Sequence, residues 1–238
     1  MVDAAVRRLI DAVAEAADHA LELWAGGATQ VERWEKEPGQ LVCEADLAVN
    51  RLLHQRLSEI DPDAGWLSEE TVDNADRLAA ERLWVVDPID GTRDYLRGRR
   101  GWAVSVALVD RGAPIAGVLA APARNELWTA QAGKGAWRNG RPIQASGRSR
   151  LSGARVPIDS LPRVDRDLTP VHKPNSIALR MAMVAADEAD LVATLRWGAE
   201  WDIAAAALIA REAGASVTDA LGQPLRFNQP DQVALGVL

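Results

Sequence analysis

The run Leu83-Trp84-Val85-Val86 passes directly into Asp87-Pro88-Ile89-Asp90-Gly91-Thr92, and no other stretch restricts the fold as tightly. Four apolar residues, two of them β-branched, predict a buried strand. Pro88 has no N–H to give to a sheet ladder, so the strand is expected to end there. Gly91 permits a tight turn with backbone amides facing outward. Asp87 and Asp90 are then close together on a bend. Two carboxylates held together repel unless a cation neutralises them, and all-oxygen ligands suit Mg²⁺. The amides after Gly91, with the Thr92 hydroxyl, can hold an anion beside that metal. A metal beside an anion cradle implies phosphate chemistry. A bare Asp-Gly-Thr would be no more than a capped turn; the strand, the loop and the upstream pair Glu69-Glu70 supply the context.

The rest of the chain offers that strand a layered surrounding. Val6, Ile10, Val13, Ala17, Leu21 and Trp24 recur every three or four residues, one face of a helix that Gly26-Gly27 should stop. Residues 29–40 are polar and read as a loop. Asp46 is expected to cap a second helix, which Asp61-Pro62 ends. Residues 65–68 form a short strand leading to Glu69-Glu70, and residues 71–81 a polar loop or surface helix. Residues 102–109, 115–121 and 126–130 predict an antiparallel meander. A stretch rich in Pro, Arg, Asp and Ser, residues 146–174, marks a boundary between halves 1–145 and 146–238. Beyond it we expect a helix over 176–186, a strand over 191–195, a helix over 203–213 capped by Trp201-Asp202, and a strand over 216–218. Lys134 follows glycines but lacks the Ser/Thr and helix of a P-loop.

Composition narrows the function classes. The 238 residues allow a sizeable core, and 48% hydrophobic with 26% charged residues is ordinary for a globular chain. A net charge of −7 argues against a nucleic-acid polymer as partner; a small phosphorylated metabolite remains compatible, because a metal reverses the local field. Cys43 stands alone, which excludes an intramolecular disulfide and points to a reducing, cytoplasmic compartment. No apolar run approaches a membrane span of ~18 residues. Nine Trp beside one Phe and one Tyr are expected mostly in the core.

Asp87-Pro88-Ile89-Asp90-Gly91-Thr92 resembles the signature of the inositol monophosphatase family of Mg²⁺-dependent, Li⁺-sensitive phosphatases. Trp201-Asp202, followed by Ile203-Ala204-Ala205 and by Glu212-Ala213-Gly214, resembles its second signature. The resemblance covers nearly the whole chain. It implies an α+β fold, a layered α-β-α-β-α sandwich with a large, mostly antiparallel sheet and a second, smaller α/β half. It implies two or three Mg²⁺ ions held by Glu69, Asp87, Asp90, Asp202 and the Ile89 carbonyl. Thr92 and Asp46 are implied to activate a water, with Glu70 orienting it. Gly91, Thr92, Arg93, Ser176 and Asp202 are implied to meet the substrate, and Lys36 to approach the site. Ala45 stands where the family has threonine, Ser68 where it has glycine. Relatives often dimerise, so a homodimer is an expectation too. On its own chemistry Asp202 could be only a helix cap, and Glu69-Glu70 only surface charge. A haloacid-dehalogenase mechanism needs aspartates two apart, one nucleophile and one acid; here Asp87 and Asp90 are three apart and position 88 is proline, so the nucleophile geometry is missing.

The substrate is the finer question. Thr92-Arg93-Asp94-Tyr95 and Glu200-Trp201-Asp202 resemble the 3′(2′),5′-bisphosphate nucleotidase branch, of the CysQ kind. The inositol-binding glutamate falls near Leu195, which has no side-chain hydrogen bond to offer. Residues 135–140 resemble the inositol branch instead. Adenosine 3′,5′-bisphosphate is the preferred expectation, inositol 1-phosphate the alternative, and a phosphate-binding protein without turnover a lesser one. Arg93, Arg97, Arg99 and Arg100, four arginines in eight residues, suit additional anion recognition or a solvated loop equally.

Overall fold

The computed structural model describes residues 3–24, 32–37 and 40–237. Helix α1 (Ala4–Leu23) begins where the Asp3 carboxylate accepts from Ala5 N, and buries Leu9, Val13, Ala16 and Ala20. It ends at Trp24; the expected stop at Gly26-Gly27 lies outside the described residues. Strands β1 (Arg33–Glu37) and β2 (Gln40–Cys43) pair antiparallel, where the polarity of the segment had suggested only a loop. Helix α2 (Glu44–Ile60) ends at Asp61, as the Asp61-Pro62 dipeptide predicts.

Seven strands form the main sheet, in sequence order: β3 (Gly65–Ser68), β4 (Arg82–Asp90), β5 (Ala103–Asp110), β6 (Ala113–Ala121), β7 (Glu126–Gln131), β8 (Gly135–Arg138) and β9 (Arg141–Pro142). Only the β3–β4 pair is parallel. The expected meander is β5–β7, and the turns expected after it carry β8 and β9.

Alternation sorts the sheet's side chains into two cores. Leu83 and Val85 of β4, with Ala103, Ala107 and Val109 of β5, face helices of the C-terminal half. Trp84 and Val86, with Val104 and Val106, face α1 and α2. Ile89 breaks the count: at odd parity it should join Leu83 and Val85, yet it belongs to the α1–α2 core. The cause is a bulge, since Asp87 pairs with Ser105 and Asp90 with Ala103, one residue out of step. The strand therefore does not end at Pro88 as expected. It passes through the proline, whose missing N–H falls where the ladder is already interrupted.

After β9 the strands are short. Strands β10 (Arg155–Pro157) and β11 (Thr169–Val171) pair parallel, and β12 (Thr194–Ala199) pairs antiparallel with β13 (Val233–Val237). The strand expected over 191–195 is thus displaced by about three residues, and the one expected over 216–218 is reduced to a bridge between Thr218 and Pro224. Three helices complete the fold: α3 (Thr92–Leu96), α4 (Ile177–Ala185) and α5 (Glu200–Glu212). Every residue from Ile203 to Ala210 of α5 is buried. Its alanine face comes so close that a Cβ at Gly117 of β6 would stand 3.0 Å from the Ala205 carbonyl. The result is a layered α+β fold with a mixed, mostly antiparallel sheet between α1–α2 and α4–α5.

Candidate active site

Gly91 ends β4 in the left-handed region, at φ 99°, and a Cβ there would lie 2.7 Å from Gly101 O and 3.0 Å from Ser176 N. Only glycine fits that conformation and that space. The turn opens α3, which is anchored from behind: Tyr95 Oη donates to Ala20 O (2.9 Å) and Trp24 Nε1 donates to Tyr95 O (3.1 Å). Glu69, Asp87, Ile89, Asp90, Gly91, Thr92, Arg93, Asn175 and Asp202 line one cavity of about 250 Å³ around this turn, closed on one side by Leu41. Residues from β4, from the turn after β3, from the approach to α4 and from α5 converge there.

Asp90 is buried and accepts from Ser176 Oγ (2.5 Å), Ala178 N (2.8 Å) and Ile177 N (3.3 Å). It thereby docks the first turn of α4 on the end of β4. Asp87 is buried too, its Oδ1 accepting from Ile89 N at 3.0 Å across the bulge. Burial pushes its carboxyl well above the ordinary range, and the charges of Glu69, Asp90, Asp202 and Asp46 push the same way. Burial also raises Asp90, against the opposing hydrogen bonds and the Arg180 charge. Asp202 is pushed up to about 7 by burial and then by the Asp90 charge. These carboxylates are held closer together than their charges favour.

Thr92 Oγ1 lies 3.1 Å from Ile89 O and 3.4 Å from Asp46 Oδ1. Asp46 comes from α2, beneath the turn, and its Oδ2 accepts from both Cys43 N (2.8 Å) and Cys43 Sγ (2.9 Å). Asp46 is thus not the cap residue expected but the third residue of α2, reaching back to the Cys43 cap. Asp202 repeats the arrangement in α5: its Oδ2 accepts from Ala199 N at 3.0 Å, and α5 starts at Glu200 rather than Ile203. Ser176 lies outside the lining but on Asp90. Glu70 is half-buried at the turn after β3, its N–H donating to Ser68 Oγ at 3.3 Å, and it does not line the cavity. The side chains of Lys36 and Leu195 lie outside the described residues.

The donor set is carboxylate and carbonyl oxygen throughout, mutually repelling, with Asp87 and Asp90 buried and Glu69 and Asp202 half-buried, which fits a hard divalent cation. Among the described residues no three acidic, His or Cys side chains converge closely enough to enclose an ion as they stand. The reason is visible: oxygens of Asp87, Asp90 and Asp202 are turned to backbone amides. Both Asp90 oxygens already accept hydrogen bonds, so ligation would use their second lone pairs, the other oxygens of Asp87 and Asp202, and the Ile89 carbonyl.

One group escaped the sequence reading. Arg180 of α4 donates to Pro174 O (2.8 Å) and Asn175 O (2.6 Å), fixing the strand of backbone that brings Asn175 to the cavity. An arginine in a helical, half-apolar segment gave no local sign of this. Asn175 itself, next to Ser176 in the chain, lines the cavity. Tyr95 and Glu200, by contrast, point away from the cavity. Glu200 accepts from Asn228 N and Gln229 N, both at 2.7 Å. Among the described residues no tryptophan lines the cavity.

A profile of the inositol monophosphatase family matches residues 2–236. An inositol-1-monophosphatase of Mesorhizobium japonicum is 36% identical over 200 residues, 77% of this chain and 74% of that protein. A 3′(2′),5′-bisphosphate nucleotidase CysQ of Escherichia coli O157:H7 is 31% identical over 210 residues, 84% of this chain and 85% of the other. The crystal structure of the extragenic suppressor protein suhB of Bartonella henselae superposes with a TM-score of 0.83 at 28% identity, covering 98% of this chain and 93% of that one.

Proposed function

The chain belongs to the inositol monophosphatase family of metal-dependent phosphatases, and we propose that it hydrolyses a small phosphate monoester at the Asp87–Asp90–Asp202 cavity, with adenosine 3′,5′-bisphosphate as the substrate. The observation that carries this reading is the gathering of carboxylates from β4 and α5 around the Gly91-Thr92 turn. Glu69, Asp87, Asp90, Asp202 and the Ile89 carbonyl would hold two or three Mg²⁺ ions. Bound there, the ions supply a lowered water pKa and charge stabilisation for an in-line displacement.

The chain's own residues do the rest. The Gly91 and Thr92 amides and Arg93, exposed at the mouth, orient the phosphate. Thr92 Oγ1 takes the proton of the attacking water while passing its own to Asp46 Oδ1, a 3.4 Å contact that shortens in the working complex. Glu70 orients that water from the neighbouring turn. Ser176, locked to Asp90, faces the leaving group together with Asn175. No covalent phosphoenzyme is needed.

For the substrate, Thr92-Arg93-Asp94-Tyr95 and Glu200-Trp201-Asp202 support the nucleotide, although Tyr95 and Glu200 serve the fold rather than the cavity. The higher identity of the inositol-1-monophosphatase relative favours inositol 1-phosphate as the second reading. Phosphate release from both compounds at equal Mg²⁺ decides: faster turnover of the nucleotide is expected, and a clear preference for inositol 1-phosphate overturns it. Release unaffected by a chelator would overturn the metal-dependent reading of this cavity.

A further inference from the structure

Beside the carboxylate cavity lies a larger hollow of about 940 Å³, and cations dominate its wall. Its three carboxylates are all engaged. Asp94 stands 3.9 Å from Arg99, Glu126 is paired with Arg124 at 2.8 Å, and Asp159 with Lys173 at 2.7 Å. Arg97 and Arg100 remain. Both are exposed, and among the described residues neither makes a side-chain hydrogen bond or ion pair. Two surplus guanidinium groups on a concave wall match the charge and the forked geometry of a phosphate dianion.

The hollow adjoins the site. Asn175 lines both cavities, and its N–H donates to Asp94 Oδ2 at 3.2 Å on the hollow's side. Helix α3 runs five residues from the Gly91-Thr92 turn to Arg97. At 1.5 Å per residue its ends stand about 7.5 Å apart, a separation that two phosphates on one sugar or cyclitol can bridge. The geometry points to Arg97 and Arg100 as the holders of a second phosphate of the substrate, while the carboxylate cavity acts on the first. This rests on the reading of that cavity as the reaction centre.

The test compares wild type with the double variant R97Q/R100Q at fixed Mg²⁺ and ionic strength. Two matched pairs are assayed: adenosine 3′-phosphate with adenosine 3′,5′-bisphosphate, and inositol 1-phosphate with inositol 1,4-bisphosphate. For the ring that is turned over, wild type should show a KM about tenfold lower for the bisphosphate, since two charge-assisted contacts are worth at least that. In the variant that KM should rise about tenfold with kcat within about twofold, while the monophosphate KM stays within about twofold. Turnover of the inositol pair alone, with this pattern, supports the second-phosphate site and overturns the nucleotide. Equal KM values within a pair in wild type overturn the second-phosphate site and leave the reaction centre standing. Equal KM rises for both members in the variant mean only a general field and also overturn it. No turnover of any of the four overturns both readings.

Discussion

Asp90 carries two duties that oppose one another. Its three hydrogen bonds to Ser176, Ala178 and Ile177 seat α4, and its charge adds to the repulsion that raises Asp87 and Asp202. Asp90→Asn keeps the volume but sets an amide donor against backbone N–H groups and removes the charge proposed to ligate the metal. We expect Mg²⁺-dependent phosphate release to fall by about 100-fold or more, with circular dichroism unchanged; near-normal turnover would remove Asp90 from the machinery. Cys43 makes a second residue-level case. Its thiol is buried and pushed up to about 12, first by burial and then by the Asp46 charge, so it stays protonated and donates to Asp46. Because the thiolate is the reactive species, a disulfide reagent at pH 8 should modify Cys43 only after denaturation. Stoichiometric labelling of the native protein would show that Asp46 is held in some other way.

At the scale of elements, position depends on how closely α5 lies on the sheet. Gly117 leaves room for Ala205 and no more, and α5 carries Asp202 from its third residue. Gly117→Val should displace the helix, lower thermal stability by about 1–3 kcal/mol as overpacked cores do, and reduce phosphate release although residue 117 lies outside the cavity; an unchanged Mg²⁺ requirement and rate would detach Asp202 from the site. The sequence foretold β4, the meander and the two signatures because strand alternation and the Asp-Gly-Thr spacing are local patterns. The bulge at Pro88 was not foretold, since proline reads as a stop unless the partner strand is known. Asp46 and Asp202 were taken for caps because an acid at the third helical position and one at the cap belong to the same short pattern. Arg77 was missed altogether. It is buried in a polar stretch, bonded to Asp73 (2.6 Å) and to Asn228 (2.7 Å), the latter 151 residues further along the chain. The strand expected over 191–195 was misplaced for a similar reason, its register being set by β13, which was not foretold and lies about 40 residues on.

In the whole molecule the two cores press on the sheet from opposite faces, and their helices deliver Asp46 from α2 and Asp202 from α5 to the same end of β4. The packing that fixes these carboxylates also forbids them to separate, so the fold bears their repulsion when no cation is bound. Asp202 makes the consequence measurable. Burial and the Asp90 charge push its carboxyl up to about 7 in the folded chain, against an ordinary 3.8. Between those values the folded state keeps a proton that the unfolded state has released, so stability falls as pH rises through the window and the loss is complete above it. In a chelator, the melting temperature should therefore drop between pH 5 and pH 7. Saturating Mg²⁺ takes the proton's place, which should flatten that slope. At a hundred times its dissociation constant it should add about 2.7 kcal/mol, or about 5–10 °C for a chain of this size. A melting temperature that does not move with pH in the chelator, or does not rise with Mg²⁺, would mean that the carboxylates do not share one ion-binding space.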